Sequence, residues 1–243
     1  MILNNTGTEN RAPISIVTAT CNAANHLPKL IESLRRQTDK DFEWVIADGA
    51  STDGTLELLQ SITDINIVIS SQPDFGIYDA LNRAIKISSG EYYIVSGADD
   101  CFYDDAIANF RRAIDRYGAD IIVANAMYDQ HRMKVRNGPP WLLGQIAYIA
   151  AHTLATAFRK DLHRVFGFYS RKYPIAADQL FVMQACKGGA SRYEGDFVAG
   201  EIGHRGVSSM DRAGNATEVF RVQVDLGRSG VIQAILLMLR LLK

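Results

Sequence analysis

The chain has 243 residues, 47% of them hydrophobic, enough for one large domain with a substantial core. A formal net charge of −1 creates no global field to draw nucleic acid, which is not an expected partner. Cys21, Cys101 and Cys186 lie far apart and make neither a C-x-x-C pair nor a disulfide framework, which fits a reducing compartment.

Residues 1–12 read as a flexible arm without the apolar core of a signal peptide. Ile14–Thr20 is nearly continuous in apolar character, the pattern of a parallel strand buried on both faces. Leu27, Leu30, Ile31 and Leu34 then repeat at helical spacing. Strands are predicted at 42–47, 66–70 and 92–95, with helices from 55 to 59 and from 77 to 87 between them. A helix over 104–117 and a strand over 120–124 follow. This β-α-β-α-β-α-β order with short connections is the signature of an α/β protein with a mostly parallel, Rossmann-like sheet flanked by helices. After about residue 125 the pattern loosens into turn-rich and aromatic stretches, with helices at 161–166 and 177–186 and a strand at 197–202.

Acidic residues recur where the strands end. Asp48 follows the second strand in ADGASTDGT, a loop of small hydrogen-bonding residues that can approach a nucleotide closely. Asp74 lies just beyond the third strand, and Asp99 and Asp100 lie beyond the fourth in EYYIVSGADD. Ligands of open α/β sheets bind outside the carboxyl ends of the strands. Paired carboxylates there can hold Mg²⁺ or Mn²⁺ against a diphosphate, or can simply cap a turn. Arg83, in the helix after Asp74, can meet a phosphate or pair with a surface acid. Neither G-x-G-x-x-G nor a P-loop is present. His152 and His204 can each donate to a diphosphate or ligate a metal, or be ordinary core and surface histidines.

Four stretches, ISIVTATCNAANHLPKLIESLRRQT, VIADGASTDGT, SQPDFGIYDALNRAI and SGEYYIVSGADD, together resemble a family 2 glycosyltransferase of the GT-A fold. The nearest subset is the colanic-acid-type enzymes of bacterial surface polysaccharide synthesis. HTLATAFRK, FYSRKYPIAADQLFVMQA and HRGVS extend the likeness to about residue 208. The resemblance implies one catalytic domain over 13–227, with a nucleotide-sugar-binding half at 13–125 and an acceptor-side half at 126–227. It implies an inverting transferase using a nucleotide sugar, UDP-linked by family frequency, and a glycan or polyprenyl-linked sugar acceptor. By the same resemblance Asp48 and Asp74 contact the nucleoside, Asp99 and Asp100 hold Mn²⁺ or Mg²⁺ against the donor, and Asp178 is the catalytic base; Thr18, Thr20, Arg83, His204 and Arg205 are the further candidates for donor contact. Gly97 replaces the first acid of the family's D-x-D motif.

Two other classes remain open. A nucleotidyltransferase would carry a basic, glycine-rich loop after the first strand, where this chain reads TATCNAANHL. A non-catalytic carbohydrate- or nucleotide-binding module on a degenerate scaffold draws its one positive support from Gly97. The C-terminal segment 228–243 is predicted as an apolar and basic amphipathic helix. At 1.5 Å per residue, 231–242 spans only about 18 Å, too short for a bilayer. It is expected either to lie in the inner face of the cytoplasmic membrane or to pack on the domain or a second copy, as in a homo-oligomer. The expected location is cytoplasmic, peripheral to that membrane.

Overall fold

Alternating burial sets the two faces of the sheet. Ile16 and Trp44 pack on one face with helices α1 (Leu27–Arg35) and α4 (Ala106–Tyr117). Val17 and Val45 pack on the other with α3 (Ile77–Ile87) and α7 (Ala177–Lys187). Each fully buried side chain of this size contributes about 1.5–3 kcal/mol. The computed structural model describes residues 2–4, 14–204 and 210–242.

The centre of the sheet is parallel. β2 (Ile14–Thr20) lies between β3 (Glu43–Asp48) and β5 (Tyr92–Val95), and β3 pairs on its other side with β4 (Ile67–Ser71). Every residue of β3 and β5 is buried, as expected for strands covered on both faces. The carboxyl ends of these four strands share one edge, with Thr20 in register with Asp48 and Asp48 with Ser71.

Beyond β5 the sheet becomes mixed. β9 (Thr156–Arg159) inserts antiparallel between β5 and β7 (Ile121–Tyr128), and β7 continues parallel to β10 (Arg192–Glu201). β6 (Cys101–Phe102) pairs antiparallel with the end of β10, which brings the Asp99–Asp100 turn against Ile202 and Gly203. β8 (His131–Met133) hairpins back on β7.

Several expectations shift. β3 runs one residue further, so Asp48 is the last residue of the strand. β7 extends four residues beyond Ala124, with the buried Asn125 amide donating to the Phe197 carbonyl at 3.2 Å. Ile2–Asn4, expected within an arm, forms β1 antiparallel to β4. Helix α8 (Arg212–Asp225) has no clear counterpart in the apolar pattern, because half of its buried residues, Glu218 and Gln223, are polar.

Helix α9 (Gly230–Leu241) turns Gln233 inward, where its amide donates to the Trp141 carbonyl at 2.8 Å. Arg240 donates to the Leu142 carbonyl at 3.1 Å. Val231, Ile235, Met238, Leu239 and Leu242 are exposed. Among the described residues, no helix is long and apolar enough to cross a membrane.

Candidate functional site

Asp48 organises the sheet edge at the ends of β2, β3 and β4. It is fully buried and accepts four hydrogen bonds: Thr20 Oγ1 at 2.9 Å, Ser51 Oγ at 2.5 Å, Ser51 N at 2.9 Å and Ser71 Oγ at 2.8 Å. Burial works to raise its pKa, but hydrogen bonds from Ser51, Ser71 and Thr20 outweigh burial and hold the carboxyl below its ordinary value. The four bonds occupy the acceptor positions of the carboxylate. Asp48 therefore shapes the 49–54 loop, and its neighbours form the surface of that loop. Thr18 does not share that surface: it is fully buried, and its hydroxyl accepts the Trp44 indole N–H at 3.0 Å. A buried tryptophan needs an acceptor, and Thr18 supplies it.

Asp74 and Arg83 meet beside this loop. Asp74 accepts the Gly76 N–H at 3.0 Å, and its other oxygen lies 4.0 Å from Arg83 Nη2. Arg83 donates to the Asp48 carbonyl at 2.7 Å, while its Nε and Nη1 are buried with no hydrogen-bond partner. Orphaned guanidinium N–H groups are costly to bury and fit an anion as their missing partner. A side chain at Gly49 would approach Asp74 Oδ2 to 2.8 Å, which explains glycine at that position.

Asp99 and Asp100, adjacent in sequence, part company in space. Asp100 is 2% exposed, accepts the Gly97 N–H at 2.8 Å and the Gly203 N–H at 2.8 Å, and is bonded by the Thr153 side chain. Burial pushes its pKa up to about 7. It staples the end of β5 to the end of β10, and its oxygens are committed to that task. Of the two acids expected to hold a metal, Asp100 is thus engaged by Gly97, Gly203 and Thr153, and Asp99 is the one that faces a cavity. Asp99 is half-buried and lies directly against Gly203, where a Cβ would collide with the carboxylate. Gly97 leaves room for both acids: a Cβ there would sit 3.2 Å from Asp99 and 3.3 Å from Asp100.

Asp99 opens into a cavity of about 490 Å³ that also exposes His26, Lys29, Asp129, Glu201 and His204. His204 Nε2 lies 3.3 Å from Asp129, and its ring sits 5.0 Å from that of Tyr128. Arg205 lies outside the described residues. Among the described residues, no three His, Cys, Asp or Glu side chains form a metal centre by themselves. Mg²⁺ and Mn²⁺ sites built on one or two carboxylates complete their shell with substrate phosphates and water, and Asp99 fits that arrangement.

Asp178 stands in the first turn of α7, half-buried. Its carboxylate accepts the Tyr78 hydroxyl at 2.6 Å and the Gln145 amide at 2.9 Å. Glu218 of α8 fixes the entry to that helix by accepting the Ile175 and Ala176 N–H groups, both at 2.8 Å. These three partners escape a reading of the sequence, since they lie 100, 33 and about 40 residues away from what they hold. Gln179, the next residue on α7, lines a second cavity of about 1060 Å³. The two cavities share Ile202 and Gly203. His152 belongs to the core instead: it is buried, bonded to the Tyr169 hydroxyl at 2.8 Å, and burial lowers its pKa.

The model of the family described as Glycosyl transferase family 2 matches residues 15–166. A PGL/p-HBAD biosynthesis glycosyltransferase of Mycobacterium bovis is 30% identical over 174 residues, 69% of this chain and 67% of that protein. The hyaluronan synthase of Pasteurella multocida is 30% identical over 137 residues, 54% of this chain and 14% of the synthase. Among solved structures, S. aureus TarS 1–349 in complex with UDP-GlcNAc superposes with a TM-score of 0.69 at 20% identity, over 94% of this chain and 71% of that one. Mannosyltransferase PcManGT from Pyrobaculum calidifontis, in complex with GDP-Man and Mn²⁺, gives 0.69 at 18% identity, over 91% and 66%. At these identities the structural likeness shows the fold, α/β and GT-A-like with a mixed sheet. The relatives are not specifically of the colanic-acid type, and the match stands at the level of the family.

Proposed function

Because the chain belongs to glycosyl transferase family 2, we propose that it is an inverting, metal-dependent enzyme of bacterial surface polysaccharide synthesis. In this reading it moves a sugar from a UDP-linked donor to a hydroxyl of a glycan or lipid-linked acceptor. The observation that carries it is the meeting of two cavities at Ile202–Gly203, with Asp99 on one side and the Asp178-bearing helix on the other.

Donor binding falls to the edge of β2–β5. The Asp48-ordered loop, Asp74 and Arg83 receive the nucleoside and its phosphate, with Arg83 supplying unpaired N–H groups. Asp99 would hold a divalent cation, and such an ion offsets the negative charge that grows on a departing diphosphate. His204 lines the same cavity and can donate to a phosphate oxygen. Asp178 takes the proton of the attacking hydroxyl. As that oxygen bonds to the anomeric carbon from the far face, the bond to the diphosphate breaks and the configuration inverts. Tyr78 and Gln145 fix two of the acceptor positions on Asp178 and leave the others to the hydroxyl.

The proposed organisation is a donor half at 13–125 and an acceptor half at 126–227. The enzyme works in the cytoplasm at the inner membrane face, with the apolar surface of α9 against lipid. Docking of that surface on a second copy is the competing arrangement. The function is tested by incubating the protein with UDP-sugars, acceptor-rich membranes and Mn²⁺ or Mg²⁺, and measuring nucleotide release with and without a chelator. Release that depends on acceptor and metal supports the reading. Full turnover in the chelator would remove the metal, and pyrophosphate release from a nucleoside triphosphate with a sugar phosphate would replace the reaction class.

A further inference from the structure

The larger cavity carries an unbalanced charge. Arg136, Arg212 and Arg240 line it, and among the described residues no aspartate or glutamate does. None of the three guanidinium groups lies within ion-pair distance of a carboxylate among the described residues, although most other arginines of the chain do. Arg240 is the most constrained. One of its nitrogens donates to the Leu142 carbonyl at 3.1 Å, and Nη1 is buried with no partner. Three like charges around one cavity repel each other; Arg136 and Arg212 are exposed, while at Arg240, which is partly buried, desolvation adds a cost that an anion would offset. The remaining wall is apolar, formed in part by Leu142, Ile146 and Val219.

We infer that this cavity binds the phosphate of an acceptor that also carries an apolar chain, with Arg136, Arg212 and Arg240 around the phosphate and Leu142, Ile146 and Val219 along the chain. The inference rests on the transferase reading for the word acceptor, but the binding site does not depend on it. Guanidinium groups suit phosphate because they offer paired N–H donors in a planar fork. The placement serves transfer: the wall of the cavity includes Gln179, beside Asp178, and Gly203, against Asp99. Arg240 of α9 also lines it, and Met238, Leu239 and Leu242 of the same C-terminal segment are exposed. An exposed apolar surface on a helix that also lines a cationic cavity would let an amphiphilic anion enter from a lipid surface without leaving its apolar surroundings.

Tryptophan fluorescence provides the test. The chain has two tryptophans: Trp44 is fully buried in the core, and Trp141, next to the cavity-lining Leu142, is 39% exposed. The full-length protein is titrated with farnesyl phosphate, farnesol and inorganic phosphate. Farnesyl phosphate is expected to give a saturable change at least about tenfold tighter than either of the others. Arg212→Gln and Arg136→Gln are each expected to weaken it about tenfold, and Arg164→Gln, remote and exposed, to leave it unchanged. Melting curves confirm that the variants fold, and the three-ligand comparison on the unmodified protein decides the matter if they do not. Equal binding of farnesol overturns the phosphate site. Equal binding of inorganic phosphate overturns the apolar part and points to free phosphate esters. Wild-type affinity in both arginine variants overturns the assignment of the residues. UDP and GDP binding are measured on the same samples: absence of both with farnesyl phosphate binding intact would refute the transferase reading and leave this site standing.

Discussion

Gly203→Ala is the smallest change that should displace the donor-side acid. Gly203 has no left-handed backbone conformation, so alanine costs little in the chain itself. Its Cβ would, however, fall well inside contact distance of the Asp99 carboxylate. Restoring an ordinary contact of about 3.4 Å moves that carboxylate by about 1 Å or more, and a misplacement of that size costs on the order of 10² in rate. This corresponds to roughly 2.7 kcal/mol of transition-state stabilisation. Asp99 is only half-buried and can swing into the cavity, so the cost to stability should stay within about 1 kcal/mol. The assay is metal-dependent nucleotide release with a concentration series of donor, alongside a denaturation curve. Loss of kcat/KM with a retained melting temperature fits the reasoning. Wild-type kcat/KM, or a loss explained wholly by unfolding, would refute the role of Asp99.

Tyr78→Phe removes the 2.6 Å donor to Asp178. A hydrogen bond to a charged group is worth about 1.5–3 kcal/mol, so kcat should fall roughly tenfold or more while donor affinity holds. Weakened donor binding with unchanged kcat would count against Asp178 as the base. His163 governs a pH effect on stability. Burial pushes its pKa down to about 4, with its ring bonded to the Tyr93 hydroxyl at 2.8 Å and the Gly167 carbonyl at 2.9 Å. The folded state therefore binds fewer protons than the unfolded state between the ordinary histidine range and pH 4, so stability falls as pH drops through that window. At pH 5 the loss from this residue is about 2 kcal/mol. Urea curves at pH 7.5 and 5 should show that loss in the wild type and a correspondingly smaller one in His163→Phe, and identical pH slopes would contradict it.

The N-terminal half was legible because buried parallel strands write their sequence as apolar runs, and acids after such runs must emerge at one edge. Asp48, Asp74 and Asp99 are found there. Which of these acids faces a ligand was not legible, because hydrogen-bond partners come from afar. Asp100 is satisfied by Gly203, 103 residues on, and Thr18 by an indole from the neighbouring strand. The C-terminal half was harder for a related reason. Polar burial in α8 breaks the apolar period, and Glu218 spends its carboxylate on backbone N–H groups before α7. β10 begins at Arg192, with its first residues alternating between exposed and half-buried, so only its buried end resembled a strand.

The central claim is that Asp178 accepts the proton of the acceptor while Asp99 serves the donor. The most direct test is the single-turnover transfer rate of Asp178→Asn at saturating donor and metal, with donor affinity measured by calorimetry on the same protein. Asparagine keeps the size of the side chain but cannot take the proton. The account predicts a rate lower by about 10² to 10⁴ with donor affinity unchanged. Transfer at a near-normal rate would contradict it and remove Asp178 as the base.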